Sequence, residues 1–130
     1  MKRTFAVVAA LIATLSLAMP ATGIAGKSTK VKVEDDFFSP TKLTVKQDTK
    51  VAFKWQKDNL NTHNVTMTKG PKGVKKTKKP CAKGDVTKCN KSASGSIGIN
   101  FAPTFNKKGS YTFVCTIHPT VMKINVKVTK

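Results

Sequence analysis

The last run of the chain constrains the fold most. Met122, Ile124, Val126 and Val128 alternate with Lys123, Asn125 and Lys127. Side chains along a strand point to opposite faces in turn, so a period of two marks a strand with one buried and one wet face. The same alternation recurs in Val31/Val33, Leu43/Val45, Val51/Phe53/Trp55, Val65/Met67, Ile97/Ile99/Phe101 and Tyr111/Phe113/Cys115. Phe37-Phe38-Ser39-Pro40 reads as a break after the first of these, and Asp58–Thr62 as turn chemistry. No stretch beyond the N-terminal segment shows a helical period. Several short strands separated by Gly, Pro, Asn and Asp predict an all-β domain, a Greek-key sandwich or barrel. In such a domain Met67, Trp55, Phe101 and Phe105 are expected to be core residues.

The N-terminus departs from this rhythm. Lys2 and Arg3 precede an apolar run, Phe5 to Leu17, broken only by Thr14 and Ser16. Gly23-Ile24-Ala25 then offers a small-x-small cleavage site before Gly26. Residues 1–25 are therefore expected to be a secretory signal, too short for a comfortable membrane span. Retention as an anchor is the alternative. Residues 26–130 would be one domain, with residues 26–30 as a flexible leader. The destination would be periplasmic, cell-surface or secreted, an oxidising setting in which disulfides persist.

Charge narrows the partners. The chain carries a formal net charge of +18, and loss of Lys2 and Arg3 with the signal leaves +16. Arg3 is the only arginine, so all remaining cationic charge is lysine. Lysine lacks the bidentate fork with which arginine reads phosphates and bases, so no nucleic-acid role is expected. Lysines alternating with apolar residues are the wet faces of strands, and they protect sheet edges from pairing. The field they create would still draw the protein toward an acidic redox partner, an anionic cell-wall polymer or an anionic membrane surface. The molecule is expected to be a monomer.

Nine of the lysines fall in residues 69–91, with Gly70, Pro71, Gly73, Pro80 and Gly84. This reads as a long loop insertion with scope for disorder. Cys81 and Cys89 lie within it and are expected to form a disulfide. Metal binding by that pair is opposed by the surrounding positive charge. The third cysteine, Cys115, is left over.

Cys115 opens the segment richest in chemistry, Cys115-Thr116-Ile117-His118-Pro119-Thr120-Val121-Met122. A thiolate, an imidazole and a thioether stand within eight residues. Thiolate and thioether are soft ligands suited to copper, and imidazole suits copper in both oxidation states. Two His, one Cys and a weak axial Met make the blue-copper electron-transfer arrangement. The chain has one other histidine, His63, which would complete the set. The plain alternative is that Cys115 is a buried, inert core thiol.

With these residues in place, the chain resembles the small cupredoxins of the plastocyanin and amicyanin type over most of residues 31–130. Phe38-x-Pro40 before Leu43-Thr44-Val45, His63-Asn64-Val65, and Tyr111-x-Phe113-x-Cys115-x-x-His118-Pro119 followed by Met122 carry the likeness. The resemblance implies His63, Cys115 and His118 as equatorial copper ligands and Met122 as the axial one. It implies that Asn64 hydrogen-bonds across to the ligand loop near the thiolate. It also implies that Ile117 and Pro119 form an apolar docking rim around an exposed His118 edge. Two features depart from the pattern. Three residues separate His118 from Met122, more than in amicyanin-like loops and fewer than in plastocyanin-like ones. The Lys-rich loop has no counterpart. The expected function is a one-electron carrier with one mononuclear copper and no enzymatic activity. A copper carrier or buffer without redox turnover, or a polyanion-binding module using residues 69–91, are the alternatives.

Overall fold

A computed structural model describes residues 28–130. The proposed signal and its cleavage site lie outside the described residues. Within them the fold is all-β, nine strands in two sheets packed as a Greek-key sandwich. In chain order these are β1 (Ser28–Glu34), β2 (Phe37–Ser39), β3 (Lys42–Lys46), β4 (Thr49–Trp55), β5 (Thr66–Lys69), β6 (Lys83–Asp85), β7 (Asn100–Phe105), β8 (Gly109–Val114) and β9 (Lys123–Thr129). One sheet runs β2-β1-β4-β7-β6 and the other β3-β9-β8-β5.

The period-two residues meet between the sheets. Val31 and Val33 of β1, Phe53 of β4 and Phe101 and Phe105 of β7 are buried from one side. Met67 of β5, Tyr111 and Phe113 of β8 and Ile124 and Val126 of β9 close on them from the other. Aromatic rings bridge the layers: Phe53 and Phe113 lie 5.9 Å apart by centroid, and Phe105 meets Tyr111 edge-on at 5.1 Å. Such contacts add to the stabilisation from area burial. Trp55 is a core residue whose indole N–H donates to the Gly95 carbonyl at 3.0 Å.

Three local expectations are corrected. Ser28–Lys30, read as a leader, already pair in parallel with β4. Their polar side chains give no hydrophobic signal for a contact made through the backbone. Phe37–Ser39 is no break; it is a short strand antiparallel to β1, and the turn is Asp35–Asp36. Ile97 lies before β7 and is exposed.

The Lys-rich segment is organised. The Cys81–Cys89 disulfide is formed, with Cα atoms 5.7 Å apart. β6 adds to the sheet edge beside β7, and Val86 is fully buried. Asn90, also buried, is its hub. Its carbonyl accepts from the Thr77 amide and hydroxyl at 2.8 and 3.0 Å, and its amide donates to the Lys75 and Val86 carbonyls, both at 2.9 Å. At the other end Gly109 has φ +133°, and a Cβ there would lie 2.6 Å from Pro71 Cγ. Only glycine lets the loop seat so closely on β8. The segment then returns alongside β5, where Lys91 bridges to Thr66 and Gly95 to His63.

Candidate metal centre

Cys115 and Met122 flank the β8–β9 connection, each one residue outside its strand. The Cys115 amide donates to the Met122 carbonyl at 3.1 Å, which closes the base of the loop. Above that base the chain winds tightly. His118 N–H donates to the Cys115 carbonyl at 3.2 Å, and Met122 N–H to the His118 carbonyl at 2.9 Å. His118 therefore stands at the loop tip, about a quarter exposed. Cys115 and Met122 are fully buried at its foot.

His63 arrives from the segment between β4 and β5. Its backbone exchanges two 3.0 Å hydrogen bonds with Gly95, and the side chain is fully buried. The structure brings His63, Cys115 and His118 together, with one ligand atom from each within 4.8 Å of the others. Cys115 Sγ is 3.7 Å from His118 Nδ1, and it accepts from the Asn64 amide at 3.5 Å. The two imidazole centroids are 5.1 Å apart.

Asn64 joins the two halves. Its side-chain carbonyl accepts from the Thr116 amide at 3.0 Å, and its amide donates to the Thr116 hydroxyl at 2.8 Å and the Ser94 hydroxyl at 3.2 Å. The residue after Cys115 is thus fastened to the residue after His63.

Asp35 and Asp36 were not legible as site residues. Nothing in the chain order ties the β1–β2 turn to His63, although two successive acids after a strand do signal a turn. Asp35 Oδ1 accepts from His63 Nε2 at 2.8 Å and from the Asn61 amide at 3.1 Å, while Oδ2 accepts from the Leu60 amide at 2.8 Å. The Leu60 amide above all, then the His63 imidazole, holds the Asp35 carboxyl below its ordinary range, against a smaller opposing effect of burial. Asp36 places a carboxylate oxygen 3.7 Å from His118 Nε2.

A carboxylate can only accept, so His63 Nε2 carries a proton, and in the neutral ring Nδ1 then presents a lone pair. That buried Nδ1 has no hydrogen-bond partner. Buried polar atoms are nearly always satisfied, so an unpartnered imidazole nitrogen beside a buried thiol and a second imidazole fits a metal ligand. Two neutral imidazoles and a thiolate suit copper rather than a hard cation.

The apolar surface gathers at the same pole. Phe37, Leu60, Ile97, Ile117 and Val121 are the exposed large hydrophobics among the described residues. Each lies within three residues of Asp36, His63, Gly95 or His118. Pro119 is exposed beside them.

The model of a family of copper-binding proteins, the plastocyanin/azurin family, matches residues 25–129. Among curated proteins no sequence match was found. The fold is similar to amicyanin from Paracoccus versutus, at 23% identity over 86% of each chain with a TM-score of 0.56. It is similar to a purple cupredoxin from Nitrosopumilus maritimus, at 19% identity over 78% of this chain and 99% of that one, TM-score 0.56. It also resembles part of a copper-containing nitrite reductase from Thermus scotoductus, at 21% identity over 79% of this chain and 22% of that one, TM-score 0.58.

Proposed function

This chain belongs to the plastocyanin/azurin family of copper-binding proteins, and from that premise we propose that it is an exported one-electron carrier, not an enzyme. One mononuclear copper would be held by His63, Cys115 and His118, with the Met122 thioether as a weaker fourth donor. The observation that carries this reading is the buried, unpartnered His63 Nδ1, set among the Cys115 thiol and the His118 ring. When bound, copper supplies a Cu(I)/Cu(II) couple.

The chain's own groups do the rest. Cys115 gives up its proton to become a ligand, and both histidines bind as neutral rings. The Asn64 backbone N–H on Sγ steadies the thiolate. Burial of His63, Cys115 and Met122 keeps water out, so little solvent has to reorganise as charge moves. The partly exposed His118 edge is the electron's way in and out. Ile117 and Pro119, extended by Val121, Leu60 and Phe37, form an apolar rim on which a partner can settle. The chain's overall positive charge favours a partner with an acidic docking surface. The working protein would be residues 26–130, released after cleavage near Ala25/Gly26.

Visible absorption, electron paramagnetic resonance and voltammetry of the Cu(II)-loaded protein test this. The expected result is an intense thiolate-to-copper band, a narrow hyperfine splitting and a reversible one-electron wave. Cys115→Ser should abolish the band. A pale spectrum typical of nitrogen and oxygen ligation would overturn the site. Stable binding without reversible reduction would make the protein a copper buffer.

A further inference from the structure

The β1–β2 turn offers two consecutive carboxylates, and each addresses a different candidate ligand ring. Asp35 lies 2.8 Å from His63 Nε2 and Asp36 lies 3.7 Å from His118 Nε2. Asp35 is held by three donors, the Leu60 and Asn61 amides and the His63 ring. Its position therefore does not depend on the histidine alone. Asp36 has φ +69°, a left-handed conformation that aspartate tolerates better than most side chains. We infer that this turn is an anionic clamp: Asp35 locks the His63 ring with Nδ1 facing the site, and the two carboxylates bias a bound copper toward its oxidised state.

The physical case has two parts. A backbone carbonyl would orient the ring equally well, but it carries no net charge. A carboxylate also draws the Nε2 proton and makes the opposite nitrogen a stronger donor, as second partners of metal-bound histidines do. Loss of an electron leaves the site one unit more positive, and a fixed negative charge on the far side of the ligand ring favours that state. Asp35, less exposed than Asp36 and in direct hydrogen-bond contact, carries most of the effect. Asp36 is more than half exposed, so solvent screens it. Both residues are positioning residues, since neither lies among the candidate ligands.

The inference rests on the copper-carrier reading, and the test separates the two. Asp35→Asn keeps an oxygen acceptor of the same shape and removes the charge. The copper-loaded variant should keep the intense visible band. Its redox equilibrium should shift about tenfold toward Cu(I), a rise of about 59 mV. Asp36→Asn should shift it the same way by about twofold. Nitrogen-15 spectra of the metal-free protein should show the His63 proton on Nε2, and mixed tautomers in Asp35→Ala, which removes the acceptor. A potential in Asp35→Asn within twofold of the parent, or one that falls, would overturn the bias. A parent ring protonated on Nδ1 would overturn the lock. Should Asp35→Asn fail to fold, the surface variant Asp36→Asn decides the bias alone, a shift supporting it and no shift overturning it. Absence of the blue band from the parent protein overturns the carrier reading and the bias with it, while the ring spectrum still judges the lock.

Discussion

At Asn64 one amide side chain satisfies groups from three segments. Besides its bonds to Thr116 and Ser94, its carbonyl accepts from the Thr66 hydroxyl at 3.2 Å. Truncation would leave the Thr116 amide without its partner beside a fully buried thiol. Asn64→Ala is expected to cost about 2 kcal/mol, read from urea denaturation of the metal-free protein. It should also broaden the visible band as the ligand loop loosens. A variant as stable as the parent would show that Thr116 finds another partner at no cost. At this scale the sequence was informative wherever chemistry was local. Cys115, His118 and Met122 share one short loop, and His63 followed as the other histidine in the chain. Asp35 was hidden because it meets His63 across 28 residues, through a turn that bears no mark of its destination.

The strands that alternate were readable; those that do not were missed. β2 and β6 have three residues each and lie at the two edges of one sheet. Too few residues are present to establish a period. The parallel pairings β1–β4, β3–β9 and β6–β7 were also out of reach, because the partners are set by how the sheets close and not by any neighbouring turn. β8 shows what an element contributes beyond its pattern. Tyr111 is buried between the sheets, and its hydroxyl donates to the Lys107 carbonyl at 2.6 Å, spanning the turn that starts the strand. Burial raises the Tyr111 pKa, so above about pH 10 the folded state holds the phenol proton more tightly than the unfolded state does. Stability from this residue is complete below that pH and is lost as pH rises through the folded value. Tyr111→Phe should cost about 1 kcal/mol at pH 8 from the lost hydrogen bond. It should also show a shallower decline between pH 8 and pH 11. Urea melts of both proteins at the two pH values check this, since the lysine titrations are common to both. Parallel declines would mean that the phenol is not the group responsible.

Across the whole molecule, residues 26–130 carry a net charge of +16, and the proposed carrier would meet its partners within that field. Electron transfer with an acidic partner should slow about tenfold or more between 10 mM and 500 mM salt, as the field is screened within a few ångströms. Stopped-flow rates against ionic strength test this; a flat or rising profile would mean that the lysines solubilise without steering. The same whole-chain view gives the short Cys81–Cys89 loop a second significance. A chain with three thiols has three ways to close one bridge under oxidising conditions. Two of them would consume Cys115, from partners 26 or 34 residues away, against a separation of 8 for the native pair. Loop closure grows costlier by about 0.6 kcal/mol per doubling of length. The unfolded chain therefore meets the harmless pairing several times more often than either harmful one. Proximity thus biases the thiols before any strand has formed, toward the bridge that leaves the candidate ligand Cys115 reduced.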